Sequence, residues 1–150
     1  MLIKTHYTIA LFFILLLVPY TFDKTIFIAV ALFATFIPDI DSRFSKLGKK
    51  KIVRVLLFFT KHRGIIHSFT FLILITFLIY SIFPVAALPF FVGYGVHLLA
   101  DSFTIRGIRL FYPLKITLKG GVRTGGKKEK IIFFLFIILD VFMFFVRIIQ

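Results

Sequence analysis

Residues 68–100 read SFTFLILITFLIYSIFPVAALPFFVGYGVHLLA. No Asp, Glu, Lys or Arg interrupts these 33 residues, and the Phe83-Pro84 junction divides them into two apolar runs, Ser68–Phe83 and Pro84–Ala100. Three more apolar runs flank the pair, Tyr7–Tyr20, Thr25–Pro38 and Ile131–Val146. Crossing the hydrocarbon core of a bilayer takes about 20 apolar residues, with about 17 as the lower limit. The first two runs hold 14 residues each and are expected to continue by a few polar residues into the headgroup zone. The chain is 150 residues long, 60% apolar, with 23 Phe and a mean hydropathy of +1.05. A soluble domain of that size must leave much of its area facing water, so it has no shell in which to hide five such segments. The expected fold is an all-α membrane protein, a bundle of about five transmembrane helices. Tyr7, Tyr20, Tyr80 and Tyr94 fall at or near run ends, where interfacial aromatics belong.

The charge pattern sets an expected orientation. Nineteen Lys and Arg against six Asp and Glu leave a net charge of +13. Segments 39–67 and 101–130 each carry eight basic residues against two acids, whereas the alternate connections hold only the Asp23-Lys24 pair and an uncharged Phe83-Pro84. Lys and Arg accumulate in cytoplasmic loops. An integral, multi-pass protein of the cytoplasmic (inner) membrane follows, with the N-terminus and both basic loops cytoplasmic. Within the first loop, Lys49–Thr60 begins basic and turns apolar at Val53, Val55, Leu56, Leu57, Phe58 and Phe59, which reads as an interfacial amphipathic helix lying on anionic lipid. The second loop contains Gly121-Val122-Arg123-Thr124-Gly125-Gly126-Lys127, close to a phosphate-binding P-loop. Lys128 stands where the magnesium-binding Ser or Thr would be, so the stretch reads as a flexible, solvated basic loop. The expected organisation is one integral membrane domain over 1–150, with the motif-bearing part in 1–113, a basic loop at 114–130 and a last transmembrane helix at 131–149. The absence of Cys excludes disulfides, thiolate metal ligands and Cys nucleophiles.

Four His and three Asp stand out from this apolar background. In the orientation above, His6 opens the first helix on the cytoplasmic side, and His62 and His67 precede the third. His97 and Asp101 end the fourth, while Asp39 and Asp41 end the second. His97 and Asp101 are four apart and share a helical face. His62 and His67 bracket Gly64, which permits a turn into the helix. Ionisable groups at membrane depth are costly, roughly 2.5–3.5 kcal/mol at a helix centre, so their gathering at one face points to a site. Imidazole and carboxylate donors without sulfur suit Zn, Mn or Fe. Seven candidates exceed the ligands of one tetrahedral ion, which leaves two ions, or one ion with supporting partners and a base. Arg63, Arg106 and Arg109 could clamp a phosphate. Ser68 follows His67 and Ser102 follows Asp101, but no Gly-x-Ser-x-Gly turn exists for a serine nucleophile, and these hydroxyls read as caps. Asp140 lies mid-run without a His nearby and is assigned a packing or interhelical role with Arg147.

Thr5-His6, Pro38-Asp39-Ile40-Asp41, His62-Arg63-Gly64-Ile65-Ile66-His67-Ser68 and His97-Leu98-Leu99-Ala100-Asp101-Ser102-Phe103-Thr104 occur in that order. Gly107 and Leu110-Phe111-Tyr112-Pro113 trail the last of them. This set resembles the YdjM-like family of membrane-bound metal-dependent hydrolases. Ile66 and Ile105 stand where that pattern usually has Thr and Pro, and neither is a proposed ligand. The resemblance implies a divalent metal and hydrolysis, with His6, Asp39, His67, His97 and Asp101 as the expected metal ligands and Asp41 or His62 as the base or outer orienting group. With the site at headgroup depth, the expected function is hydrolysis of a lipid or other phosphodiester-type substrate by metal-activated water. The alternatives are a non-catalytic metal-binding scaffold or sensor, and a membrane-bound nuclease. Membrane lipids are the expected partners. Specific nucleic-acid binding is not expected, because the aromatics lie in apolar runs and do not interleave with the basic residues.

Overall fold

The computed structural model describes residues 1–39 and 63–149. The expected amphipathic helix at Lys49–Thr60, and with it Asp41 and His62, lie outside the described residues. Helix α1 covers Ile3–Leu17 and tightens into a 3-10 turn at Val18–Tyr20. Pro19 causes this change, because it has no N–H to give and its ring crowds the carbonyl four residues back. That carbonyl belongs to Leu15, and it accepts instead from Arg147 Nε of the last helix at 3.0 Å; Arg147 Nη2 reaches Leu16 O at 3.3 Å. Arg147 thus finishes the end of α1.

Helix α2, Lys24–Phe36, is capped by Asp23, whose carboxylate accepts the Ile26 N–H at 2.9 Å, and it ends in a 3-10 turn, Ile37–Asp39. A one-turn helix α3, Arg63–Ile66, leads through His67 into α4, Phe69–Ile82. Ser68 is the N-cap of α4, accepting from Phe71 N–H at 3.3 Å, as its short hydroxyl favours. Helix α5, Pro84–Ser102, starts on proline, which has no N–H to waste in a first turn. A two-stranded antiparallel ribbon follows, β1 (Ile108–Arg109) with β2 (Thr117–Leu118), in the register Ile108 to Leu118 and Arg109 to Thr117. Helix α6 runs from Lys127 to Ile149. It begins four residues before the apolar run, so Lys127–Lys130 form its first turn and are not part of a loop.

The fold is all-α apart from the small ribbon, and five helices match the five apolar runs. Among the described residues, three elements are long and apolar enough to cross a membrane: Ile3–Tyr20, Pro84–Ser102 and Lys127–Ile149; α4 is apolar but has 14 residues, and α2 has 13. Helix α5 sits at the centre, packed by α2 on one side and by α4 and α1 on others, while α6 lies along α1. Ala34, Leu72, Phe90, Tyr94 and Leu98 form one buried cluster, and Ile9, Ala10, Val96 and Ala100 a second. Helices α2 and α5 meet closely at Gly93, where any Cβ would stand 2.1 Å from the Ala31 carbonyl oxygen. Large apolar side chains along α6, among them Phe134, Ile138, Phe142 and Phe145, face outward, as on a helix whose solvent is lipid.

The aromatic pattern holds in part. Tyr20 and Tyr80 are exposed at helix ends. Tyr94 is not an interfacial residue: it is wholly buried within α5, where its hydroxyl donates to Ile66 O at 2.6 Å. A buried phenol needs such an acceptor, and this one lies just before His67.

Candidate metal centre

Four elements bring acids and imidazoles together at one end of the bundle. His6 comes from the second turn of α1, Asp39 from the turn after α2, His67 from the link between α3 and α4, and His97 and Asp101 from the last turns of α5. The ligand atoms of His6, Asp39 and His97 lie within 4.8 Å of one another, and so do those of His67, His97 and Asp101. Both groups could hold a metal ion. The His6 and His97 rings are stacked, with centroids 3.8 Å apart and 6° between planes, and the His67 ring meets His97 nearly edge-on at 5.9 Å. Asp101 faces both stacked rings: Oδ1 lies 3.3 Å from His6 Nε2, and Oδ2 lies 3.7 Å from His97 Nε2. The Met1 amino group also contacts Asp101 Oδ1.

His97 is the best defined of the five. Its Nδ1 lies 2.8 Å from the Thr35 carbonyl oxygen, which can only accept, so Nδ1 carries the hydrogen and Nε2 the lone pair. Tying one ring nitrogen to a carbonyl is the usual way a metal-binding imidazole is oriented and its tautomer set. Thr35 is itself held by its hydroxyl, which donates to Ala31 O at 2.8 Å. His6 and His97 are fully buried, and His6 Nδ1 and His97 Nε2 have no hydrogen-bond partner. Buried imidazole nitrogens left in that state are costly, and a cation among carboxylates would satisfy them, so the donor set fits a divalent ion. Both triads depend on His97, which has one lone pair to give, so His97 serves a single ion.

Of the remaining expected residues, Asp41 and His62 lie outside the described residues, as does the Arg63 side chain. Arg106 and Arg109 are exposed, Arg106 in the bend after α5 and Arg109 in β1. The two serines act locally: Ser68 caps α4, and Ser102 Oγ donates to Leu99 O at 2.6 Å. In the basic loop, Gly125 N–H donates to the Glu129 carboxylate, so that amide is engaged within the chain and not offered to a phosphate.

Three supporting residues escaped sequence reasoning. The Thr35 contribution is a backbone carbonyl, which every residue type has. Tyr94 looked like an interfacial ring near the end of a run. Glu129 sits among lysines, yet it is 1% exposed and accepts the Leu2 N–H at 2.6 Å as well as that of Gly125. It thereby pins the start of α1, one turn from His6. A lone acid in a basic stretch was the only available signal.

Fold and site together define an all-α membrane protein with a His/Asp group whose ligand atoms could hold a metal ion. The sequence model of the YdjM inner membrane protein family matches residues 1–149, and the chain belongs to that family. It is 28% identical over 119 residues to the uncharacterized protein YvsG of Bacillus subtilis (strain 168), covering 75% of this chain and 74% of that one. No solved structure matches.

Proposed function

We propose that the protein is a membrane-embedded metal-dependent hydrolase whose ligands are His6, Asp39, His67, His97 and Asp101. The observation that carries this reading is His97, with one ring nitrogen committed to Thr35 O and the other buried, unbonded and turned toward Asp101. That is a ligand held in advance of its ion. Zn, Mn and Fe all accept imidazole and carboxylate donors. A divalent ion bound there supplies charge to polarise water and to offset the negative oxygen that departs.

The chain's own residues contribute orientation and exclusion of water. His6 and His97 close the inner side of the site. Asp101 is 17% exposed at its side chain and Asp39 is half-buried, so the approach for substrate runs past the carboxylates. Asp41 or His62 is the proposed base. Arg63, Arg106 and Arg109 are proposed to steady the phosphate of a lipid or other phosphodiester-type substrate. The basic loops and the site are assigned to the cytoplasmic side on the strength of the Lys and Arg asymmetry.

A second reading, a non-catalytic metal-stabilised scaffold or sensor, draws on the complete burial of His6 and His97, since structural metal sites are closed. One set of measurements separates the readings. Detergent-purified protein is expected to hold about one transition-metal ion, to lose it in His67→Ala and Asp101→Ala, and to hydrolyse a generic phosphodiester only with metal. Metal without hydrolysis supports the scaffold. Absence of metal, with wild-type behaviour of both variants, sinks both.

A further inference from the structure

An apolar cavity of about 440 Å³ opens among α1, α5 and α6, lined by Ile9 and Phe13, by Val96 and Ala100, and by Ile132 and Phe136. This volume is in the range of ligand pockets, but the lining offers no polar atom to orient a compact polar ligand. The place of the cavity is what gives it meaning. Val96 and Ala100 immediately precede His97 and Asp101, Ile9 is three residues beyond His6, and Met1 lines the cavity while its amino group touches Asp101. None of the five candidate ligands lines the cavity, but Met1 does, and through its contact with Asp101 the cavity adjoins the His/Asp group. From there it runs into the bundle as far as Phe13, seven residues along α1 from His6, or roughly 10 Å at 1.5 Å per residue.

Its mouth is basic. Lys4 lies with Nζ 4.8 Å from the centre of the Phe133 ring, next to Ile132, and Lys127, Lys128 and Lys130 form the first turn of α6, which Glu129 fastens to the start of α1. An apolar slot between membrane-spanning helices, with lysines and the His/Asp group at the neighbouring helix ends, is complementary to an amphiphile with one chain and an anionic head.

We propose that this slot holds one acyl chain of a phosphate-bearing lipid and presents its phosphate to the His/Asp group. The proposal rests on the hydrolase reading and narrows it, making a lipid the preferred substrate. The acyl chain exchanges bilayer hydrocarbon for an equally apolar lining and gains little by it, so selection falls to the lysines and the His/Asp group, which favour an anionic phosphate head.

The test uses fluorescence, because the chain has no Trp. Phe136→Trp places a single reporter in the slot, and Phe13→Trp places one on the opposite wall should the first variant fold poorly. Phe142→Trp, 63% exposed on the same helix as Phe136, reports bulk amphiphile. The full chain in detergent micelles is titrated with a glycerol phosphate carrying one dibrominated stearoyl chain, and with the matching dibrominated monoacylglycerol. The slot reporters are expected to be half-quenched at a probe mole fraction at least tenfold below that for Phe142→Trp. Unbrominated glycerol phosphate lipid should reverse the quenching, and the neutral amphiphile should bind at least tenfold more weakly. Parallel quenching of slot and outer reporters overturns the proposal, and so does equal quenching by the neutral amphiphile. Metal content and phosphodiester hydrolysis are measured on the same preparations. An active, metal-loaded protein without selective quenching refutes the slot alone, and selective quenching in a metal-free, inactive protein refutes the hydrolase reading alone.

Discussion

Gly93→Ala should loosen the metal centre without touching any ligand. The added Cβ would stand 2.1 Å from the Ala31 carbonyl oxygen, and ordinary contact begins at 3.4 Å, so α2 and α5 must part by about 1.3 Å. The three nearest atoms, Ala31 O, C and Cα, are all backbone, so no rotamer change relieves the clash. If α2 retreats as a body, the 2.8 Å contact between His97 Nδ1 and Thr35 O opens to roughly 4 Å, beyond hydrogen-bond range. Overpacking of this kind costs about 1–3 kcal/mol, and losing the partner that orients a metal-binding His lowers metal affinity about 10–100-fold. Gly95→Ala is the matched control. Its Cβ would meet only Leu72 Cδ2, at 3.5 Å, and it gains the same helix propensity. The assay is zinc titration of chelator-stripped protein in detergent, alongside the thermal midpoint. Gly93→Ala should fall in both while Gly95→Ala stays close to wild type. Equal behaviour of the two variants would refute the link from helix contact through Thr35 to His97.

Two further outcomes follow from the same geometry. Glu129→Ala removes the acceptor of two backbone N–H groups, of Leu2 and Gly125. Hydrogen bonds to charged groups are worth about 1.5–3 kcal/mol each, so thermal unfolding should show a loss of at least about 2 kcal/mol, and an unchanged midpoint would contradict the anchoring role. Sidedness can be read because the chain has no Cys. A single Cys at Lys119 should be shielded from a membrane-impermeant maleimide in intact cells, and one at Phe22, fully exposed between α1 and α2, should be labelled. The reverse pattern would invert the proposed orientation.

What the sequence disclosed and what it hid have different physical origins. The runs 68–83 and 84–100 became α4 and α5 almost residue for residue, because a helix satisfies the backbone of such apolar stretches within the segment itself, as lipid requires. The i,i+4 spacing of His97 and Asp101 placed them on one face, and four helix ends at one membrane face put the described candidates near one another. Other features depend on partners far along the chain. The Thr35 carbonyl acts only because Gly93 lets α2 come close, and Tyr94 is buried because a bare carbonyl at Ile66 awaits it. Strands of two residues are too short for any period of two to register, which left the ribbon at Ile108–Leu118 invisible. The early start of α6 was masked by its lysines, although Lys and Glu are good helix formers and Glu129 reaches back to Gly125.

The Glu129 contact with Leu2 joins positions 127 residues apart in the chain. All five proposed ligands have been synthesised by residue 101, well before that partner emerges from the ribosome. His6 is therefore on hand early but fastened late, and the site reaches its final form only when the last helix has entered the membrane. On the proposed metal-site reading, loading would be tied to completed insertion, so a nascent or truncated chain ending before α6 would bind an ion poorly while carrying every proposed ligand.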